Sequence, residues 1–165
     1  MPERATVQRA KGKLRRGRAA STAAGEFVRE EMDHIREGKH GARSAKQAIA
    51  IGLSKARRAG VPLPPPTRGK ATTKRAAKRA YEVGQGQRKP RAPSRTRSRA
   101  TTRALRGEPR WAASHRALAS QAHTAAVRRG SAARKAAARK AVRTKGSAAR
   151  KTAARKAAAT RKRNA

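Results

Sequence analysis

The chain has 165 residues, of which 46 are Lys or Arg and 8 are Asp or Glu, so its formal net charge is +38. Forty residues are alanine, whereas Leu, Ile, Val and Phe together number 15, which is about 9% of the chain. A strongly charged sequence is expected to be disordered when these four residue types make up less than roughly 20% of it. This composition argues against a globular enzyme of 165 residues, and the absence of cysteine excludes disulfides, thiol nucleophiles and cysteine-based metal sites.

The N-terminal residues 1–24 are basic and contain Gly12 and Gly17, and we expect them to be disordered. They lack the apolar stretch of about 7–15 residues that a secretory signal peptide needs. No run of about 20 apolar residues occurs in the chain. We therefore expect a soluble, cytoplasmic protein without membrane contact.

Residues 25–38 predict a short helix with two different faces. The apolar face is formed by Phe27, Val28, Met32 and Ile35. Four acids lie on the opposite side, namely Glu26, Glu30, Asp33 and Glu37. We expect this acidic side to be either a solvated surface or a face that restrains the basic arm until DNA displaces it. Glu31 interrupts the apolar face and has no explanation at this level.

The next helix has clear signals at both ends. Ser44 and Gln47 form an S-x-x-Q capping box at its start, and Gly60 with Pro62 predicts its end. One apolar stripe follows helical spacing through Ala45, Ala48, Ile49, Gly52, Leu53 and Ala56. Residues 25–60 are therefore predicted to form a helical hairpin.

A proline-rich linker follows at residues 61–69 and favours an extended conformation. Residues 70–129 predict a basic segment with short helices. One helix is expected at 72–83 and another at 109–129, beginning at Pro109. Between them, the composition of residues 85–99 indicates turns and disorder.

The last 36 residues contain an internal repeat. Residues 130–145 and 146–161 are identical at 12 of 16 positions, and the pentad AARKA recurs in them. Five residues advance a helix by about 140°, so the Arg-Lys pairs wind around it and leave no apolar face. Alanine favours a helix while charge repulsion opposes it, and we expect residues 130–165 to be disordered when free and helical when bound. The predicted fold is thus mostly α, with a small N-terminal two-helix module followed by a long, largely disordered or conditionally helical basic arm.

From position 128 onward the chain has 15 Lys and Arg residues and no acid. Each such residue that neutralises a phosphate releases condensed counterions, so this composition favours binding to the DNA backbone. The predicted DNA contacts are Arg128, Arg129, Arg134, Lys135, Arg139, Lys140, Arg143, Lys145, Arg150, Lys151, Arg155, Lys156, Arg161, Lys162 and Arg163. Secondary contacts are predicted at Lys55, Arg57, Arg58, Lys74, Arg75, Lys78 and Arg79.

These patterns lead to a histone-like, nucleoid-associated protein that neutralises and bridges double-stranded DNA without sequence preference. Base-specific reading is not expected, because the tail offers no set of Asn or Gln side chains on a rigid helix. Three aromatic residues are too few for RNA-type stacking, although an RNA- or ribosome-associated protein remains an alternative. In the DNA-binding interpretation, residues 25–63 supply self-association or contact with a protein partner, with Ile51 as a candidate contact of that partner. A second alternative is an adaptor or regulator whose function lies in residues 25–63, with the basic arm only localising it.

No catalytic centre, cofactor or metal site is predicted. Glu31 and His34 have the Glu-x-x-His spacing of half a di-iron site, but the motif occurs once and such a site needs two. His115 and His123 lie two turns apart without carboxylate partners. Gly69-Lys70 lacks the rest of a phosphate-binding loop.

The segment 46–60, KQAIAIGLSKARRAG, resembles a family of small bacterial proteins that carry an uncharacterised domain with the motif K-Q-A-I-A-I-G-L-S-x-A-R. The resemblance covers about residues 25–63. Members are often labelled DNA-binding proteins, so the resemblance implies DNA binding and carries no catalytic residue. The Ala/Lys/Arg repeats are similar in composition to the tails of linker histones and of bacterial histone-like proteins, but no winged-helix domain is recognisable.

Overall fold

The computed structural model describes residues 2–92 and 94–163, apart from the side chain of Lys145. All regular elements of these residues are helical. The α-helices are α1 Arg4–Arg15, α2 Ala20–Arg36, α3 Ala45–Arg58, α4 Ala71–Gly84, α5 Arg95–Gly107, α6 His115–Arg128 and α7 Gly130–Arg163, and a short 3-10 helix spans Arg110–Ala113. The chain divides into two compact units, Met1–Gln121 and Ala122–Ala165.

The expected two-helix module with a largely disordered arm is therefore wrong. Helices make up 76% of the structure, and they include residues 4–15 and 130–163, for which we expected disorder. The low content of Leu, Ile, Val and Phe led us to expect disorder, but it leaves out the contribution of alanine to the core. Ten of the fourteen buried hydrophobic residues are alanine, and alanine lets helices approach closely without large side chains between them.

The first core cluster joins α1, α2 and α3. Its buried members are Ala10, Ala23, Ala24, Phe27, Ala56 and Val61. Val7 and Leu14 of α1 and Leu53 of α3 pack against them. Since Val7, Ala10 and Leu14 are spaced i, i+3 and i+7, α1 turns one narrow apolar stripe toward α2.

The second core cluster lies at the other end of α2. Its buried members are Met32, Ile35, Ala42, Ala48, Ala112 and Ala113. The 3-10 helix supplies the last two, so a segment distant in sequence completes this core. Three hydrogen bonds hold this segment in place. The backbone N–H groups of Gly41 and Ala42 donate to the carbonyls of Leu105 (2.7 Å) and Pro109 (3.1 Å), and Arg36 Nε donates to the carbonyl of Ala113 at 3.1 Å.

Helix α3 has the ends that the sequence predicts. Ser44 Oγ accepts a hydrogen bond from the backbone N–H of Gln47 at 3.2 Å, while the Gln47 side chain accepts from Arg43 N–H at 2.9 Å. At the other end, Gly60 has φ of +88°, and the N–H of Val61 donates to the carbonyl of Ala56 at 3.1 Å. This is a Schellman C-terminus.

The predicted helix near residues 72–83 is confirmed as α4, which packs on α3 through the buried Ala80. Two other expectations need correction. Residues 95–99 belong to α5, because Ser94 caps it by accepting from Arg97 N–H at 3.4 Å. The predicted helix 109–129 is divided, because Ser114 accepts from Ala117 N–H at 3.2 Å and so starts α6 separately.

Helix α7 reproduces the 16-residue repeat. Gly130 and Gly146, which open the two copies, have φ of +79° and +69°, and the helix is interrupted at Gly146. Each copy is thus one helical segment started by a glycine in the left-handed region. No residue of α7 with a described side chain is buried.

Among all the helices of the described residues, none combines the length and the apolar character that a membrane-spanning segment requires.

Candidate nucleic-acid interface

The predicted DNA-contacting residues of the C-terminal tail lie at the end of α6, immediately after it, and along α7. Fourteen of the fifteen are exposed; the side chain of the remaining residue, Lys145, lies outside the described part. Alanine fills 13 of the 34 positions of α7, so the charged groups project from two slender helical segments that meet at Gly146. The basic pairs beginning at Arg134 and Arg139, and at Arg150 and Arg155, are five residues apart, which turns successive pairs by about 140°.

The secondary contacts divide into two groups. Lys55 and Arg57 have partners within the fold: Lys55 Nζ lies 2.6 Å from Glu31 Oε2, and Arg57 donates to the carbonyls of Leu63 and Pro64 at 3.2 Å. Burial lowers the pKa of the Arg57 guanidinium. These two side chains hold the fold together and do not present a free charge to a phosphate.

The other secondary residues are exposed. They are Arg58, Lys74, Arg75, Lys78 and Arg79. Four of them lie on α4, where Lys78 Nζ is 3.9 Å from Glu82 Oε1. This second basic surface belongs to the N-terminal unit and is smaller than that of α7.

The acids of the N-terminal unit are paired with bases of the same unit. Six of the eight acids in the chain have a Lys or Arg nitrogen within 4.0 Å, in every case from residues 1–121; they are Glu3, Glu26, Glu31, Asp33, Glu37 and Glu82. Glu30 lies 4.0 Å from the His34 imidazole. Internal pairing therefore takes up most of the negative charge.

Helix α1 covers half of the acidic side of α2. Glu26 is only 7% exposed and accepts hydrogen bonds from Arg9 Nε at 2.8 Å and from Lys13. Glu30 accepts from the backbone N–H of Glu3, at the start of α1, at 3.3 and 3.4 Å, where the positive end of the helix dipole favours a carboxylate. These two acids therefore bind α1, and neither expected role of the acidic side applies to them.

The aromatic residues form no stacking surface. Phe27 is completely buried in the first core cluster, and Tyr81 is half-buried on α4. Trp111 is 57% exposed, but a single exposed ring cannot stack successive bases. The arrangement suits contact with a phosphate backbone better than contact with unpaired bases.

A polar cluster lies near the loop after α2, and the sequence did not predict it. One donor atom from each of Glu31, His34 and His40 lies within 4.8 Å of the other two. Glu31 is completely buried, although it lies on the apolar face of α2. Its carboxylate is accommodated there because it contacts Lys55 and His40. His40 lies beyond the helix, so the helical spacing that linked Glu31 to His34 could not include it.

The model of a protein family described as "Family of unknown function (DUF6496)" matches residues 19–67. The matched segment contains α2, α3 and the extended segment after α3, but neither α1 nor α7. No curated protein matches the chain, and no solved structure matches it. The observed similarity is thus to a family without an assigned function, over about three-tenths of the chain.

Proposed function

We propose that the protein binds double-stranded DNA through its backbone, without sequence preference, as a non-catalytic, nucleoid-associated protein of the bacterial histone-like type. The observation that carries this proposal is the basic surface from Arg128 to Arg163. It has fifteen cationic residues and no acid, and every described side chain among them is exposed. Such a surface gains affinity from each counterion that it displaces from a polyanion.

The winding of the charges supports bridging of two duplexes. Within each of the two segments of α7, the successive Arg-Lys pairs point in directions about 140° apart, so one straight duplex does not contact both pairs of a segment equally. The pairs that face away remain available to a second phosphate backbone. A helix with its charges on one side would neutralise a single duplex more efficiently but would not favour bridging.

Internal pairing of the acids also supports the proposal. Glu26 and Glu30 are engaged by α1, and Glu31 by Lys55. Less negative charge is therefore available on the N-terminal unit to repel DNA, and the exposed bases of α4 can add weak contacts. The family similarity is compatible with this role but does not assign it.

The proposal is tested by measuring the affinity of the full chain for duplex DNA as a function of salt. Each phosphate contact contributes about −0.9 to the slope of log affinity against log salt. With 6–10 contacts, we expect affinity to fall by roughly 10³–10⁵ between about 50 and 200 mM salt. Unrelated duplex sequences should bind with the same affinity.

Two variants with equal net charge locate the contacts. The first replaces Arg150, Lys151, Arg155 and Lys156 of α7 by Gln, and the second replaces Lys74, Arg75, Lys78 and Arg79 of α4. We expect the α7 variant to reduce the magnitude of the slope by up to about 4 × 0.9 and the α4 variant to reduce it less. Equal effects would indicate that net charge alone governs binding.

Competition distinguishes the alternatives. If structured RNA displaces duplex DNA at equal salt, the RNA-associated alternative replaces the present proposal. If a chain ending at Arg129 retains a protein partner of the full chain while neither protein binds DNA, the adaptor alternative replaces it. A nearly flat salt dependence or a strong preference for one DNA sequence would contradict backbone binding.

A further inference from the structure

We propose that Glu31, His34 and His40 bind a divalent transition-metal ion of the zinc type, at a site separate from the basic surface. Glu31 and His34 lie one turn apart on α2, and His40 lies in the loop between α2 and α3. Their donor atoms converge within 4.8 Å of one another. Two imidazoles and one carboxylate are a ligand set that zinc accepts.

The spacing of two donor atoms fits a tetrahedral ion. Glu31 Oε1 lies 3.4 Å from His40 Nε2. Ligands at zinc distances of roughly 2.0–2.2 Å in a tetrahedron are separated from one another by about 3.3–3.6 Å. An ion between these two atoms therefore requires little movement of either side chain.

The burial of Glu31 favours a second cation beside Lys55, because only one of its two oxygens pairs with that lysine. The residue is 0% exposed, and neither of its oxygens receives a hydrogen bond of normal geometry from the described residues. Lys55 Nζ forms an ion pair with Oε2 at 2.6 Å, which leaves Oε1 directed at His40. A metal-binding carboxylate commonly has its second oxygen held by a neighbouring polar group.

The hydrogen bonds of the histidines leave one lone pair on each ring. His40 Nδ1 lies 3.0 Å from the carbonyl oxygen of Gly41, which only accepts, so Nδ1 carries the hydrogen and Nε2 of the neutral ring carries the lone pair. His34 Nε2 lies 3.2 Å from Glu3 Oε1, so this carboxylate holds the ring in place when the other nitrogen binds an ion. Such contacts to a carbonyl or carboxylate are usual for metal-bound histidines.

The charges around the cluster favour a cation. Three carboxylates are close to it, because Glu3 and Glu30 lie 3.2 and 4.0 Å from His34 Nε2 and Glu31 is a member. Lys55 and Lys39 oppose it, since they pair with Glu31 and with Glu3 at 2.6 and 3.9 Å. Three negative groups against two positive ones leave a net attraction for a divalent ion.

The test titrates the full chain, freed of metal with a chelator, with Zn²⁺ in a calorimeter and with Co²⁺ in a spectrophotometer. We expect one ion per chain, a higher melting temperature with Zn²⁺, and the stronger visible absorption that Co²⁺ acquires in a four-coordinate site. Mg²⁺, which prefers oxygen ligands and octahedral geometry, should not bind. These measurements on the unaltered chain decide the question even if a variant fails to fold.

Variants assign the ligands. His34→Gln and His40→Gln should each lower Zn²⁺ affinity at least about tenfold. The matched control replaces the exposed His115 and His123 of α6 by Gln and should leave the isotherm unchanged. The proposal would be overturned if Zn²⁺ did not bind, if Mg²⁺ bound equally well, or if the control variant lost as much affinity. The cluster would then be a network of hydrogen bonds and ion pairs without a metal.

Discussion

Gly52 sets the distance between α2 and α3. A Cβ atom at this position would lie 2.7 Å from Val28 Cα and 3.0 Å from the carbonyl oxygen of Phe27. Both neighbours are backbone atoms of α2, so neither can move aside as a flexible side chain would. The position that the sequence marks only as a small member of an apolar stripe is therefore the crossing point of two helices.

We expect Gly52→Ala to lower the free energy of unfolding by about 1–3 kcal/mol, because overpacking forces the two backbones apart. Chemical denaturation measures the change. The matched control is Gly25→Ala in α2, where a Cβ atom meets nothing within 4 Å and alanine should stabilise the helix by about 0.5–1 kcal/mol. A Gly52→Ala protein as stable as the unaltered chain would contradict the close approach.

Glu26 attaches α1 to α2 through charge. The hydrogen bond from Lys13 lowers the pKa of its carboxyl; burial opposes this effect and the hydrogen bond from Arg9 adds to it. Because the folded-state pKa lies below the ordinary value of 4.5, this contribution to stability is complete above that pH. It is lost as the pH falls through the lowered pKa.

We therefore expect Glu26→Gln to destabilise the fold by about 1–2 kcal/mol at neutral pH and by progressively less in acid. Urea unfolding of both proteins at several pH values measures this difference. Glu37→Gln serves as the control, because Lys39 also lowers the pKa of Glu37 but both side chains are more than half exposed. A pH-independent effect of Glu26→Gln would show that shape, and not charge, holds α1.

Local capping and tertiary contact divide the helices into two kinds. Ser44 and Ser94 both accept a hydrogen bond from the N–H three residues ahead, at 3.2 and 3.4 Å. Helix α3 then packs against α2, whereas α5 buries none of its residues. The same cap thus begins a core helix in one case and an exposed helix in the other.

Helix α7 is held by propensity alone. Alanine, lysine and arginine are strong helix formers. They fill most of the positions of α7, and the remaining positions are mainly glycine, serine and threonine. Charge repulsion opposes the helix less than we expected, because the winding pattern spreads the charges around it. Phosphate is therefore not needed to form it.

We expect a chain ending at Arg129 to lose about a quarter of the far-ultraviolet helical signal at low temperature, in the absence of DNA. The melting midpoint of the remainder should not change, because every residue of the two core clusters lies between Val7 and Leu118. Circular dichroism measures both quantities. An unchanged helical signal would mean that residues 130–163 are not helical in solution.

At the scale of the whole molecule, charge is divided between two units of different construction. The N-terminal unit neutralises most of its acids internally and has two alanine-rich core clusters. The C-terminal unit has no buried residue among its described side chains and carries uncompensated positive charge. In the proposed function, the second unit supplies the affinity for DNA, while the first supplies a folded body and the proposed metal site.

The sequence by itself determined the features that depend on neighbouring residues. These are the mostly helical class, both ends of α3, the apolar stripe of that helix, and the 16-residue repeat that α7 reproduces. Caps, propensities and left-handed glycines act over a few residues, so they can be predicted along the chain. The segregation of charge is a matter of composition and was equally visible.

Only the tertiary structure decided which faces meet. The docking of α1 on Glu26 and Glu30, the contribution of Ala112 and Ala113 to the second core, and the approach of His40 to Glu31 join residues that are distant in sequence or separated by a turn. Alanine is the physical reason for much of this difference. Its side chain is too small to mark a core in a hydrophobic count, yet it permits the close helix packing that forms one.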